Sequence, residues 1–143
     1  MNADVACSEP RALIVEDEIL IAEELRDRLS SLGFVVIAAV DTAEEAVAIA
    51  TRERPDVVLM DIRLKGEKDG VQAAQEIREQ VDVPIVYVTA YSDPLTVERA
   101  RQTEHDAYIL KPFHKRDLQS TIDVARQRHA VRAMQKNAGG FRC

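Results

Sequence analysis

Five short apolar runs punctuate the chain at wide, regular intervals: ALIV (12–15), FVVIAA (34–39), DVVLM (56–60), PIVYV (84–88) and AYIL (107–110). Each is rich in β-branched residues and barely alternates between apolar and polar, the pattern of strands buried on both faces. The segments between them carry helical period instead. Ile21, Leu25 and Leu29 share one face, with Ala22 and Leu32 beside them. Ala43, Ala46, Val47 and Ala50 form a second stripe, Val71, Ala74 and Ile77 a third, and Leu118, Ile122 and Ala125 a late one. The stretch from Asp93 to Thr103 is the weakest helix by pattern. Strands that alternate with helices of this length build βαβ units, hence a parallel sheet with helices on both faces.

The boundaries agree with the pattern. Gly33 stands where a left-handed cap would close the first helix, Thr42 and Glu45 have capping-box spacing, and Asp93-Pro94 reads as an N-cap with a first-turn proline. Residues 11–132 are expected to form one domain, with 1–10 and 133–143 as flexible termini.

The ends of the strands carry the chemistry. ALIV is followed by Glu16 and Asp17, DVVLM by Asp61, PIVYV by Thr89 and AYIL by Lys111. In open α/β sheets that edge is where ligands bind. Each residue alone has a plainer reading: a charge at a helix start for Asp17 or Glu18, a turn for Asp61, a cap for Thr89, a solvated ammonium for Lys111. Their joint placement on one sheet edge argues for a site. Two carboxylates about 4 Å apart repel by roughly 4 kcal/mol at an effective dielectric near 20, so Glu16, Asp17 and Asp61 either splay apart into water or hold something positive between them. An oxygen-rich cluster of this kind suits Mg2+, which takes one or two carboxylates and keeps waters or phosphate oxygens. Without metal, the cluster is expected to bind protons more readily than isolated carboxylates. Glu18 is expected to begin the helix and face solvent.

Composition narrows the alternatives. The formal net charge of −6 disfavours direct binding to nucleic acid or an anionic membrane, and no apolar run is long enough to cross a bilayer. The N-terminal MNADVACSEPR lacks the features of a secretory signal, which implies a cytoplasmic protein. Cys7, Cys143 and the scattered His105, His114 and His129 have no ligand spacing and read as reduced thiols and as surface or packing residues.

The motifs IVED, LMDIRL, VTA and YILKPF, in this order and spacing, resemble the receiver domain of two-component response regulators, the CheY-like fold, over about Ala12 to Arg132. The resemblance implies a flavodoxin-like, doubly wound five-stranded parallel sheet of order 2-1-3-4-5. It implies that Asp61 accepts a phosphoryl group from a sensor histidine kinase or histidine phosphotransfer protein. Glu16, Asp17, Asp61 and the backbone carbonyl of Arg63 would hold Mg2+, and Lys111 would contact the phosphoryl oxygens. Thr89 and Tyr108 would be the switch residues, although Tyr108 also fits an ordinary half-buried strand tyrosine. The Lys111–Pro112 bond would be cis. Phosphorylation would reshape the face formed by the fourth helix, fifth strand and fifth helix, and so regulate a downstream protein target not identified by sequence.

Two positions and one loop depart from the family pattern. LKGEKDG (64–70) is one residue longer than usual, with Lys65 in place of proline, and is expected to be more mobile. Arg63 and Tyr91 are bulky at positions that border the path of the hydrolytic water, which predicts slow self-dephosphorylation. The basic C-terminal segment with Lys115, Arg116, Arg126, Arg128 and Arg132 reads as a solvated helical face, with a phosphorylation-linked homodimer as an option. The expectation is a stand-alone, Mg2+-dependent signalling switch whose only chemistry is autophosphorylation and slow autodephosphorylation. The alternatives are the same domain cut from a longer regulator or hybrid kinase, and a Mg2+-dependent aspartyl-phosphate phosphohydrolase. Arg63 stands where such a hydrolase would place its second acid.

Overall fold

The structure, a computed structural model, describes residues 9–90, 98 and 107–136. Five strands, β1 (Arg11–Val15), β2 (Val35–Val40), β3 (Val57–Asp61), β4 (Ile85–Ala90) and β5 (Ala107–Lys111), form one sheet of order β2-β1-β3-β4-β5. Every neighbouring pair is parallel. The helices among the described residues are α1 (Ile19–Ser31), α2 (Ala43–Glu53), α3 (Gly70–Gln80) and α4 (Lys115–Lys136). Of the expected helix at 93–103 only Glu98 is described, in helical conformation, and the Asp93-Pro94 start lies outside the described residues, so α4 is the late stripe of the sequence pattern. It runs to Lys136, past the expected domain edge at 132.

Alternate residues of the central strands feed two cores. Leu13, Val15, Val58, Met60, Ile85 and Tyr87 pack with Ala43, Ala46 and Ala50 of α2 and with Ala74 and Ile77 of α3. On the opposite face Ile14, Val57, Leu59, Val86 and Val88 meet Leu25 and Leu29 of α1 and Leu118, Ile122 and Ala125 of α4. A strand's side-chain period of two thus supplies both cores at once, which is why the central runs show no alternation. The edge strands differ from expectation. β2 is only half-buried, and β5 exposes Tyr108. An edge strand has a neighbour on one side only, and less helix covers it, so it is not buried on both faces.

Local signals place the elements as the sequence predicts. Thr42 caps α2 by accepting the Glu45 N–H at 3.2 Å, and Gly33 has φ of +95°, closing α1 in the left-handed region. The α3 start is a full capping box between Asp69 and Gln72, a D-x-x-Q spacing that sequence reading passed over.

Candidate functional site

The sheet order brings the ends of β1, β3 and β5 to one edge. The Glu16 N–H donates to the Val40 carbonyl at 2.9 Å, extending the ladder one residue past β1 and fixing where its side chain stands. Asp61 is the last residue of β3, in register with Val88, and Lys111 the last of β5, in register with Ala90. Glu16 and Asp61 are buried, at 4% and 6% exposure, while Asp17 is half-buried. Glu16, Asp17 and Asp61 each offer a carboxylate oxygen, and the three oxygens lie within 4.8 Å of one another. Glu18, as expected, starts α1 and is exposed.

Lys111 reaches across the end of β4 into this group. Its Nζ donates to Glu16 Oε1 at 2.8 Å and to Asp61 Oδ2 at 3.3 Å. The other oxygen of each acid accepts a backbone N–H: Glu16 Oε2 from Glu18 at 3.1 Å, and Asp61 Oδ1 from Arg63 at 3.1 Å. Both buried carboxylates are therefore held at two oxygens, one by the ammonium and one by the turn that follows the strand. The Lys111 ammonium supplies positive charge between Glu16 and Asp61.

Burial raises the Glu16 carboxyl above its usual value, and Asp61 beside it adds to the rise, while the bonds from Lys111 and the Glu18 N–H pull the other way. Burial alone would lower the Lys111 ammonium, but its bond to Glu16 and the charges of Asp61 and Glu16 outweigh that and raise it. The direction at Glu16 is the one expected of crowded carboxylates. The donor set, all hard oxygen with one half-exposed acid toward solvent, fits Mg2+, and Glu16, Asp17 and Asp61 could hold it.

The remaining expected residues are arranged as follows. Thr89 is buried at the end of β4, one residue beyond the partner of Asp61, and its hydroxyl donates to the Ala90 carbonyl at 3.3 Å rather than to the acids. Tyr108 is 41% exposed on β5. Arg63 is exposed, and its backbone turns back onto Asp61. Tyr91 lies outside the described residues, as do Cys7, Cys143 and His105. The Lys111–Pro112 bond is cis. The 64–70 loop is tied to its neighbour by a parallel bridge between Lys65 and Thr42 and by a 3.6 Å ion pair between Lys65 and Asp41.

One residue that shapes the site was not singled out from sequence. Gly70 opens α3 directly against the backbone of Asp61, and its N–H donates to the Ile62 carbonyl at 2.7 Å. A Cβ there would stand 2.1 Å from the Asp61 carbonyl oxygen and 2.8 Å from Ile62 Cα. Only glycine admits this approach. The Asp-Gly pair ahead of the Val71 stripe was the signal available.

Comparison with known proteins agrees with this geometry. The family model described as response regulator receiver domain matches residues 12–123. The chain is 40% identical over 124 residues to the transcriptional regulatory protein PdtaR of Mycobacterium tuberculosis, covering 87% of this chain and 60% of that protein. It is 37% identical over 128 residues to the probable transcriptional regulator ycf27 of Guillardia theta, covering 90% and 49%. Among solved structures, the signal receiver domain of a modulated diguanylate cyclase from Desulfovibrio desulfuricans G20 superposes with a TM-score of 0.81 at 37% identity, covering 87% of this chain and 99% of that one. The receiver domain of the sensor histidine kinase PA1611 from Pseudomonas aeruginosa PAO1, solved with a magnesium ion coordinated in its active-site cleft, superposes with a TM-score of 0.77 at 33% identity, covering 84% and 99%. The chain belongs to the response regulator receiver domain family of two-component signalling. It spans 49–60% of the length of these two curated relatives. Among the described residues no helix is long and apolar enough to cross a membrane.

Proposed function

We propose that Asp61 is the phosphoacceptor of a Mg2+-dependent signalling switch supplied by a sensor histidine kinase or a histidine phosphotransfer protein. The observation that carries this is the buried Asp61 carboxylate, held between the Arg63 N–H and the Lys111 ammonium inside a three-carboxylate group. A carboxylate oxygen of Asp61 attacks phosphorus. The donor's P–N bond breaks, its electron pair stays on the imidazole nitrogen, and that nitrogen takes up a proton. Asp61 is left as an acyl phosphate. Glu16, Asp17, Asp61 and the Arg63 carbonyl would hold the metal, which when bound neutralises charge on the transferring group. Lys111, already aimed at Asp61 Oδ2, contacts the phosphoryl oxygens.

The added charge then draws the Thr89 hydroxyl away from the Ala90 carbonyl, and Tyr108 turns inward from its exposed position, reshaping β5 and the helices beside it for a downstream protein. Arg63 and Tyr91 slow hydrolysis of the acyl phosphate. The receiver unit spans 11–132, and the reading carries with it a cytoplasmic location. An output through transcription, as the names of the longer relatives suggest for those proteins, is the second reading.

Intact-protein mass spectrometry after acetyl phosphate treatment tests the assignment. One phosphoryl equivalent should appear with Mg2+, and none with chelator or in Asp61→Asn. Continuous turnover of an aryl phosphate would favour a phosphohydrolase instead, and an unmodified wild type would refute the reading.

A further inference from the structure

The last turn of α1 grips the chain two residues beyond Lys111. Arg28 Nη1 donates to the Phe113 carbonyl at 2.8 Å, its guanidinium stacks over the Phe113 ring at 5.4 Å from the centroid, and Nη2 pairs with Glu24 at 2.7 Å. The side chain is 26% exposed, and Phe113 packs on the core shared by α1 and α4. Before Lys111 the backbone is fixed by the β4–β5 ladder up to the Ala90–Lys111 pair. After it, residues 112–114 leave the sheet before α4 begins at Lys115.

We infer that Arg28 is a positioning residue for Lys111: through Phe113 it fixes the strand end from which the ammonium reaches Glu16 and Asp61. The loop before α1 and the last turn of α1 thus hold opposite sides of one lysine, Glu16 at its Nζ and Arg28 at the backbone just past it. Lysine has four rotatable side-chain bonds and gains geometric definition only from what anchors its two ends. A planar, forked guanidinium suits this anchor because it can bond a carbonyl, pair with Glu24 and cover a ring at the same time. Lysine at 28 would keep the charge but not all three contacts. The inference rests on the proposed role of Asp61, since a shifted Lys111 matters only where the phosphoryl group lands. Displacements near 1 Å at such sites cost up to about a hundredfold in rate, and one lost anchor among several is expected to cost about tenfold.

A double-mutant cycle decides it. Acetyl phosphate with Mg2+ is applied to wild type, Arg28→Met, Lys111→Ala and the double variant, and phosphorylation rates are read by mass spectrometry, with Asp61→Asn as the blank. Arg28→Met should lower the rate about tenfold with Lys111 present and add nothing once Lys111 is gone; Arg28→Lys should restore the rate in part only. An unchanged rate in Arg28→Met, or the same factor lost in both backgrounds, overturns the inference. Where the Lys111→Ala rate is too low to measure, the ammonium 1H–15N signal of Lys111 in the unphosphorylated protein decides. Faster exchange with water in Arg28→Met supports the anchor, and unchanged exchange overturns it. A wild type that takes no phosphoryl group defeats the Asp61 reading, whereas a phosphorylated wild type with additive losses defeats only the role of Arg28.

Discussion

Adding one methyl group at Gly70 should damage the site more than it damages the fold. The new Cβ would lie 2.1 Å from the Asp61 carbonyl oxygen, 2.9 Å from Asp61 C and 2.8 Å from Ile62 Cα, all backbone atoms that no rotamer change can move aside. Relief to an ordinary contact requires α3 and the end of β3 to part by about 1 Å, stretching the 2.7 Å bond from the Gly70 N–H to the Ile62 carbonyl. Overpacking of this kind costs about 1–3 kcal/mol, a weakened hydrogen bond about 1 kcal/mol, and the better helix propensity of alanine returns up to about 1 kcal/mol. A net loss of roughly 2 kcal/mol follows. Because the displaced atoms belong to Asp61 itself, a shift of about 1 Å should cost on the order of a hundredfold in phosphorylation rate. Urea unfolding and the acetyl phosphate assay measure the two effects separately. Gly70→Ala with wild-type stability and rate would refute the reasoning. A destabilised variant with the wild-type rate would show that α3 yields while Asp61 stays in place.

Other consequences follow from the same contacts. Glu16 has a raised pKa in the folded protein against about 4.5 unfolded, so the metal-free fold gains from its proton below pH 4.5 and loses that gain as pH rises through the folded value. Urea titrations in chelator should show stability falling over that window in wild type but not in Glu16→Gln; equal slopes would contradict the assignment. Thr42→Ala removes the 3.2 Å cap on α2 and should cost about 1 kcal/mol in urea while leaving the phosphorylation rate unchanged. Arg63→Asn combined with Tyr91→Glu should speed loss of the acyl phosphate, followed by mass spectrometry after donor removal; an unchanged lifetime would end the idea that these side chains shield it.

What sequence made legible was periodic or local. The unbroken apolar runs of Leu13 to Val15 and Val57 to Met60, and the helical spacing of Leu25 and Leu29, are carried by neighbours in the chain, and so are the acids and lysine at three strand ends. Parallel strands pointing the same way bring those ends together without further information. The rest depends on distances that only the folded sheet sets. Lys111 Nζ lies nearer Glu16, past the end of β1, than Asp61 on β3, although β3 is the closer strand to β5, and strand order alone does not announce that. Arg28 meets Phe113 across 85 positions of sequence. Gly70 touches the Asp61 backbone because the turn after β3 doubles back, and no spacing rule announces that. The exposure of β2 and Tyr108 likewise follows from edge position, which composition does not reveal.

The most direct test is a crystal structure grown with Mg2+ and beryllofluoride. The account predicts a fluoroberyllate on the Asp61 carboxylate, Lys111 Nζ beside its fluorines, and a metal ion among Glu16, Asp17, Asp61 and the Arg63 carbonyl. Both groups bound elsewhere, or a metal that leaves Asp61 untouched, would contradict it.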